Sequence, residues 1–236
     1  MSIWSRLGEF VSRVSGTALA GVVEAMRSMF EGDPALRRKV AFSIAMIALS
    51  AKMAKADGIV TQDEVRAFQQ IFAVPAQEVR NVSRLYDIAK SDIAGFETYA
   101  ARMAALFDED DDQRDVLEDI LDGLFHIAKA DGYVHDREIG FLRRTAEIFE
   151  FDERRFERIL ARHAFSAADN PYKVLGVATS ASFPEIRTHY RKLIAENHPD
   201  RLMSRGLPEE FIAIATARVA ALNVAFETIE RSFARA

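Results

Sequence analysis

The sequence predicts an all-α protein, and three observations carry that prediction. Apolar residues return every three or four positions from about residue 34 onward, the period of a helix with one buried face. A helix–turn–helix unit occurs twice, 74 residues apart. A further helical pair near the C-terminus is interrupted by Asn197-His198-Pro199-Asp200-Arg201. With 236 residues, 49% hydrophobic and 28% charged, the chain has the balance of a soluble protein of one or two domains. It has no cysteine, which excludes disulfides and thiolate metal sites and fits a reducing compartment. The net charge of −5 argues against general nucleic-acid binding. The charge is uneven, because residues 170–236 hold nine Lys/Arg against seven Asp/Glu and form the basic part of an acidic protein.

Residues 1–32 form a separate amphipathic segment. Ile3, Trp4, Leu7, Phe10, Val11 and Val14 share a helical face, and Arg6, Glu9 and Arg13 lie elsewhere. The uncharged runs at 14–23 and 40–51 are too short for a spanning helix, which needs about 20 apolar residues. Glu9 and Arg13 also break the apolar core a secretory signal would need. The expectation is no transmembrane span. Residues 1–30 would lie on a membrane surface, or pack on the next domain or a second copy; their mixed charge favours packing, and a homodimer stays open.

Gly32-Asp33-Pro34 breaks the chain, and residues 33–165 read as one helical domain. The spacing predicts helices near 35–56, 61–72, 76–90, 92–107, 113–130, 136–150 and 153–163. The repeat is Ala54-Lys55-Ala56-Asp57-Gly58-Ile59-Val60 against Ala128-Lys129-Ala130-Asp131-Gly132-Tyr133-Val134, and Glu64 then pairs with Glu138. Gly58 and Gly132 suit a left-handed helix end. Thr61-Gln62-Asp63-Glu64 has the form of a capping box, whereas His135 replaces the threonine in the second copy and predicts a weaker or different cap. The duplication predicts that the helices at 36–56 and 113–130 lie side by side. The repeated Lys-Ala-Asp-Gly pattern resembles the TerB-like helical domain named from tellurite-resistance proteins.

Asp57, Gly58 and Glu64 match the second half of a calcium loop, but the earlier ligand positions would be Met53 and Lys55, and Ile127 and Lys129 in the other copy. His126, Asp131 and His135 suggest zinc, yet Lys52, Asp57 and Thr61 stand there in the first copy. The reading is a structural turn, with no metal and no cofactor. The acidic run Asp108-Glu109-Asp110-Asp111-Asp112 reads as a solvated loop with Asp112 capping the next helix, and an ion or basic partner is the alternative.

Residues 166–170 are a short polar linker, which predicts two domains that are close but not rigidly fixed. Asn170 to Val177 reads as a short helix in which Tyr172 and Leu175 pack inward and Gly176 stops the helix. Ser182-Phe183-Pro184-Glu185 is a capping box with proline in the first turn. It opens a helix whose inner sector holds Ile186, Tyr190, Leu193 and Asn197, with Arg187, Arg191 and Lys192 pointing mostly away. Pro199 ends it near Asn197. The segment 208–233 reads as the partner helix, with Ala215, Val219, Leu222, Phe226 and Ile229 as its stripe.

Two helices with a His-Pro-Asp tip resemble the J domain of DnaJ-type co-chaperones, here at residues 170–236. A TerB-like domain followed by a J domain resembles the DjlA-like co-chaperones. The resemblance implies that His198, Pro199 and Asp200 trigger ATP hydrolysis by a DnaK-type chaperone, that Arg187, Arg191 and Lys192 supply docking charge, and that the TerB-like domain sets location, oligomerisation or client. The chain lacks the Gly/Phe-rich and cysteine zinc regions of DnaJ itself. It is expected to be cytoplasmic, with inner-membrane contact through residues 1–30 as a further expectation, and not an enzyme. His198 and Asp200 flank a proline with no nucleophile near them in sequence, and no P-loop or dinucleotide fingerprint is present. The second reading is a stress-linked scaffold or metal-sensing module in which the J domain is secondary.

Overall fold

The computed structural model describes residues 34–57, 76–91, 95–105, 107, 111–132, 134–164, 170–204 and 211–234. These residues form helices and turns and no strand. In chain order the helices are α1 (Pro34–Asp57), α2 (Val79–Ser91), α3 (Phe96–Ala104), α4 (Asp111–Ala128), α5 (Asp136–Ile148), α6 (Glu153–Ala164), α7 (Pro171–Leu175), α8 (Phe183–Glu196), α9 (Pro199–Ser204) and α10 (Ile212–Phe233), with a 3₁₀ turn at Lys129–Asp131. The expected helix at 61–72, the first-copy turn after Asp57 and the N-terminal segment lie outside the described residues.

Helix α1 is the axis of the helical domain. Val40 through Ala54 are all buried, including Ser43, Ser50 and Lys52. A helix apolar on every side must be covered on every side, and α2, α3, α4 and α5 all pack on it. The Lys52 ammonium lies 4.4 Å from the centre of the Tyr99 ring, which helps a cation tolerate that core. The expected adjacency of the two long helices holds, since α1 packs on α4.

Gly132 ends the 3₁₀ turn at φ 114°, the left-handed backbone its repeat position predicts. The second copy, expected to have a weaker or different cap, has a capping box: the Glu138 carboxylate accepts the His135 N–H at 2.8 Å at the start of α5. Boundaries differ from expectation in several places, and the helix expected at 92–107 spans only Phe96–Ala104. Helix α4 begins at Asp111, so Asp112 lies inside it instead of capping it from outside. Pro199 does not lead straight into a loop; it starts the short helix α9.

In the C-terminal domain α7 and α8 pack on α10 around Val174, Leu175, Ile186, Leu193, Leu222, Ala225 and Ile229. Gly176 closes α7 at φ 67° and lies against α6: a Cβ there would come 2.7 Å from Arg158 Cδ, while Arg154 Nη2 donates to the Gly176 carbonyl at 3.3 Å. The two domains share their apolar interiors. Leu202, Phe211, Ile214 and Ala215 belong to the core of the helical domain, and Ala161 of α6 belongs to that of the C-terminal domain. Phe211 meets Phe42 edge to face at 4.9 Å between ring centres. Helix α10 therefore serves one core with its first turns and the other with its remainder. By length and composition α10 alone among the described helices could cross a membrane, and 33% of its apolar window is buried. Its apolar residues include those that close the two cores.

Candidate functional site

The His-Pro-Asp tip is held by the orientation of α8. Ser182 starts that helix, with its N–H and hydroxyl both donating to Glu185 Oε2, at 2.9 and 2.6 Å. These bonds hold the Glu185 carboxyl below the usual range. Ile186 and Leu193 are buried. The Tyr190 ring stacks on Phe226 at 4.1 Å, its hydroxyl donates to Asn223 Oδ1 at 2.8 Å, and His189 Nε2 lies 2.9 Å from the Leu175 carbonyl. One side of α8 is thus fixed on α10 and α7. The other side presents Arg187 and Arg191, both exposed. Lys192 is also exposed, with its ammonium 3.8 Å from Glu196.

At the end of α8, Asn197 closes the helix's last turn. Its backbone N–H and its Nδ2 both donate to the Leu193 carbonyl, at 3.0 and 2.7 Å. His198 follows with 58% of its side chain exposed, and Asp200 with 88%. The Asp200 N–H donates to His198 Nδ1 at 3.2 Å. The Arg201 and Leu202 amides donate to the His198 carbonyl at 3.0 and 3.2 Å. Pro199 fits the first position of α9, where its missing N–H has no helical partner to lose. The imidazole and carboxylate therefore stand outward on a backbone closed by hydrogen bonds. Among the described residues no group of three metal-ligating side chains occurs.

Behind the tip lies a buried ionic cluster between the domains. Arg218 of α10 donates from Nη1 to Asp119 Oδ1 at 2.7 Å, and from Nε and Nη2 to Asp122 Oδ2 at 3.1 and 3.0 Å. Its Nη1 also donates to Asn197 Oδ1 at 2.7 Å. Asp122 Oδ1 receives Arg162 Nη2 at 3.0 Å and lies 3.0 Å from His163 Nε2. Burial would raise the Asp122 carboxyl, but Arg218 and Arg162 hold it well below the usual range. Burial wins at Asp119, which has one engaged oxygen, and pushes it up to about 6 against the pull of Arg218. Glu118 shows the opposite balance: burial opposes ionisation, yet Arg162, Arg155 and Arg158 bring it down to about 2. A cleft of about 250 Å³ opens beside the cluster, with Lys192 and Glu196 on one wall and Glu118 and Arg155 on the other.

The structure thus brings His198, Pro199 and Asp200 together at the tip and sets Arg187, Arg191 and Lys192 along the preceding helix. Sequence reasoning missed Arg218, Asp119 and Asp122. The available signal was a charge inside an apolar stripe: Arg218 falls four residues from both Ile214 and Leu222, and it is buried where Val219 is only half-buried.

Comparison with known proteins places both halves. The model of the tellurite resistance protein TerB family matches residues 43–161, half of the chain. The chain belongs to the TerB family. The DnaJ domain model matches residues 170–224, so the chain is DjlA-like, with a TerB domain followed by a J domain. A co-chaperone protein DjlA of Coxiella burnetii is 29% identical over 201 residues, covering 76% of this chain and 73% of that relative. A co-chaperone protein DjlA of Photobacterium profundum is 29% identical over 220 residues, covering 82% and 78%. One of Vibrio cholerae is 32% identical over 149 residues, about half of each chain. No solved structure matches.

Proposed function

We propose that this protein is a J-domain co-chaperone that recruits a DnaK-type chaperone and stimulates its ATP hydrolysis. The observation that carries the reading is the exposed His198-Pro199-Asp200 tip at the end of a helix whose outer face bears Arg187 and Arg191. In this mechanism Arg187, Arg191 and Lys192 attract an acidic surface of the chaperone, and the tip then engages it. His198 contributes a ring edge, Asp200 a carboxylate and Pro199 a stiff backbone between them. ATP and its hydrolysis belong to the partner, so the chain itself performs no bond-making step. The TerB domain directs location, oligomerisation or client choice, and the chain acts in the cytoplasm, with residues 1–30 as its candidate membrane contact.

A single-turnover ATPase assay with the cognate DnaK-type protein tests this. His198→Gln is expected to abolish stimulation with helical content unchanged, because the side chain is exposed. Stimulation equal to wild type would refute the reading.

A further inference from the structure

We propose that the TerB domain is the mount that sets the geometry of the His-Pro-Asp tip, with Asp119 acting through Arg218 on Asn197 and the shared core acting through Leu202. This inference rests on the co-chaperone reading and adds Asn197, Arg218 and Asp119 to it as positioning residues.

The tip is anchored on both flanks. On its N-terminal side Asn197 is buried, and its Oδ1 accepts from Arg218 at 2.7 Å. The same Arg218 nitrogen donates to Asp119 at 2.7 Å, so one guanidinium nitrogen links the residue before His198 to helix α4. On the C-terminal side Leu202 is buried in the helical-domain core along with Phe211, whose ring meets Phe42 of α1. His198 and Asp200, between the two anchors, remain exposed. The contact therefore orients the tip without covering it.

The chemistry of the anchor makes the orientation specific. Arg218 keeps only 3% of its side chain exposed and spends four hydrogen bonds on two carboxylates and one amide. A planar guanidinium matches such a set in one arrangement. A register shift would leave buried charge unpaired, which is strongly unfavourable. Apolar contacts between Phe211 and Phe42 could slide; the ionic contact could not. The TerB domain thus contributes to the trigger itself, beyond any role in location or client choice.

The test uses the full chain in single-turnover ATPase titrations with the cognate DnaK-type protein. Asn197→Ala, Asp119→Ala and the double variant are compared with wild type, and melting curves verify that each is folded. Arg187 and Arg191 are untouched, so the half-saturating concentration should stay within about twofold. The maximal rate should fall by about tenfold in each single variant, the scale of a small misplacement of a reacting group. The double variant should be no worse than the weaker single, because both act along one path. Amide resonances of His198 and Asp200 should move in folded Asp119→Ala.

Wild-type maximal rates in folded variants would overturn the proposal, as would a loss seen only in half-saturation or additive losses in the double variant. A rate above wild type would overturn it as well, since the dock would then restrain the tip. If Asp119→Ala does not fold, the Asn197→Ala maximal rate decides alone. His198→Gln, run alongside, separates the two claims: its retained activity would sink the co-chaperone reading, whereas its inactivity beside fully active Asn197→Ala would sink only the mount.

Discussion

Replacing Arg218 by leucine removes the centre of the interdomain cluster while nearly keeping the volume of its stem. Its loss is unequal for its three partners. Asp122 keeps Arg162 and His163, so its charge stays compensated. Asn197 keeps the bond its Nδ2 donates to the Leu193 carbonyl, but its buried Oδ1 loses the Arg218 donor. Asp119 loses the guanidinium that its Oδ1 accepts from while remaining buried. Breaking a buried pair by removing one member costs roughly 3–5 kcal/mol. The low end applies here, because Asp119 already titrates near 6 and can take up a proton. The expected loss at pH 7 is therefore about 3 kcal/mol, or about 6–12 °C in melting temperature for a chain of this size. Guanidinium unfolding followed by circular dichroism measures it. The loss should shrink at pH 5, where protonating Asp119 costs little. Adding Asp119→Leu should recover most of it, because an apolar pair replaces an uncompensated carboxylate. A loss below about 1 kcal/mol at pH 7, or a double variant weaker than Arg218→Leu alone, would refute the reasoning.

Two other outcomes follow from the same geometry. The Asp119 carboxyl is raised to about 6 by burial, so the folded chain holds a proton that the unfolded chain releases near its usual ~3.9. Its contribution to stability accordingly grows as pH falls from about 7 towards about 4, by up to about 3 kcal/mol. Asp119→Asn lacks this term, so wild type should gain on the variant over that window; a constant difference between them would contradict the assignment. On the outer face, Arg187→Glu with Arg191→Glu should weaken binding to the DnaK-type protein and flatten its salt dependence, since exposed charges are screened over about 8 Å at physiological salt. Unchanged affinity at low salt would show that the face is merely solvated.

The sequence was most informative where the cause of structure is local. Helix α8 could be placed to within a residue because its start is written in Ser182 and Glu185 and its end in Pro199. The tip was legible because proline fixes backbone wherever it stands. Gly132 was legible because a repeat placed it at a helix end. Helix α9 was not foreseen, since six residues offer too little period to register. Asn197 shows the limit best. Periodicity put it in the inner sector of α8, but an amide there has meaning only once Arg218 is known to lie opposite. Arg218 in turn depends on carboxylates about a hundred positions earlier in the chain. The polar linker at 166–170 reports local composition, and it cannot reveal that residues beyond it return to the first domain's core. Helical period likewise placed Val219 in the stripe of α10, because it does not register which neighbour each face will meet.

The contact between Phe42 and Phe211 also bears on how the chain is made. Synthesis delivers residues 34–164 well before Phe211, and domains fold as they emerge. The helical domain must wait with the seat of that ring unfilled, along with the places of Ile214 and Ala215. Asp119 waits as well, without the arginine that neutralises it, whereas Asp122 already has Arg162 and His163 beside it. During that interval the nascent protein carries an apolar gap beside uncompensated acid, and the ribosome closes both when it reaches α10.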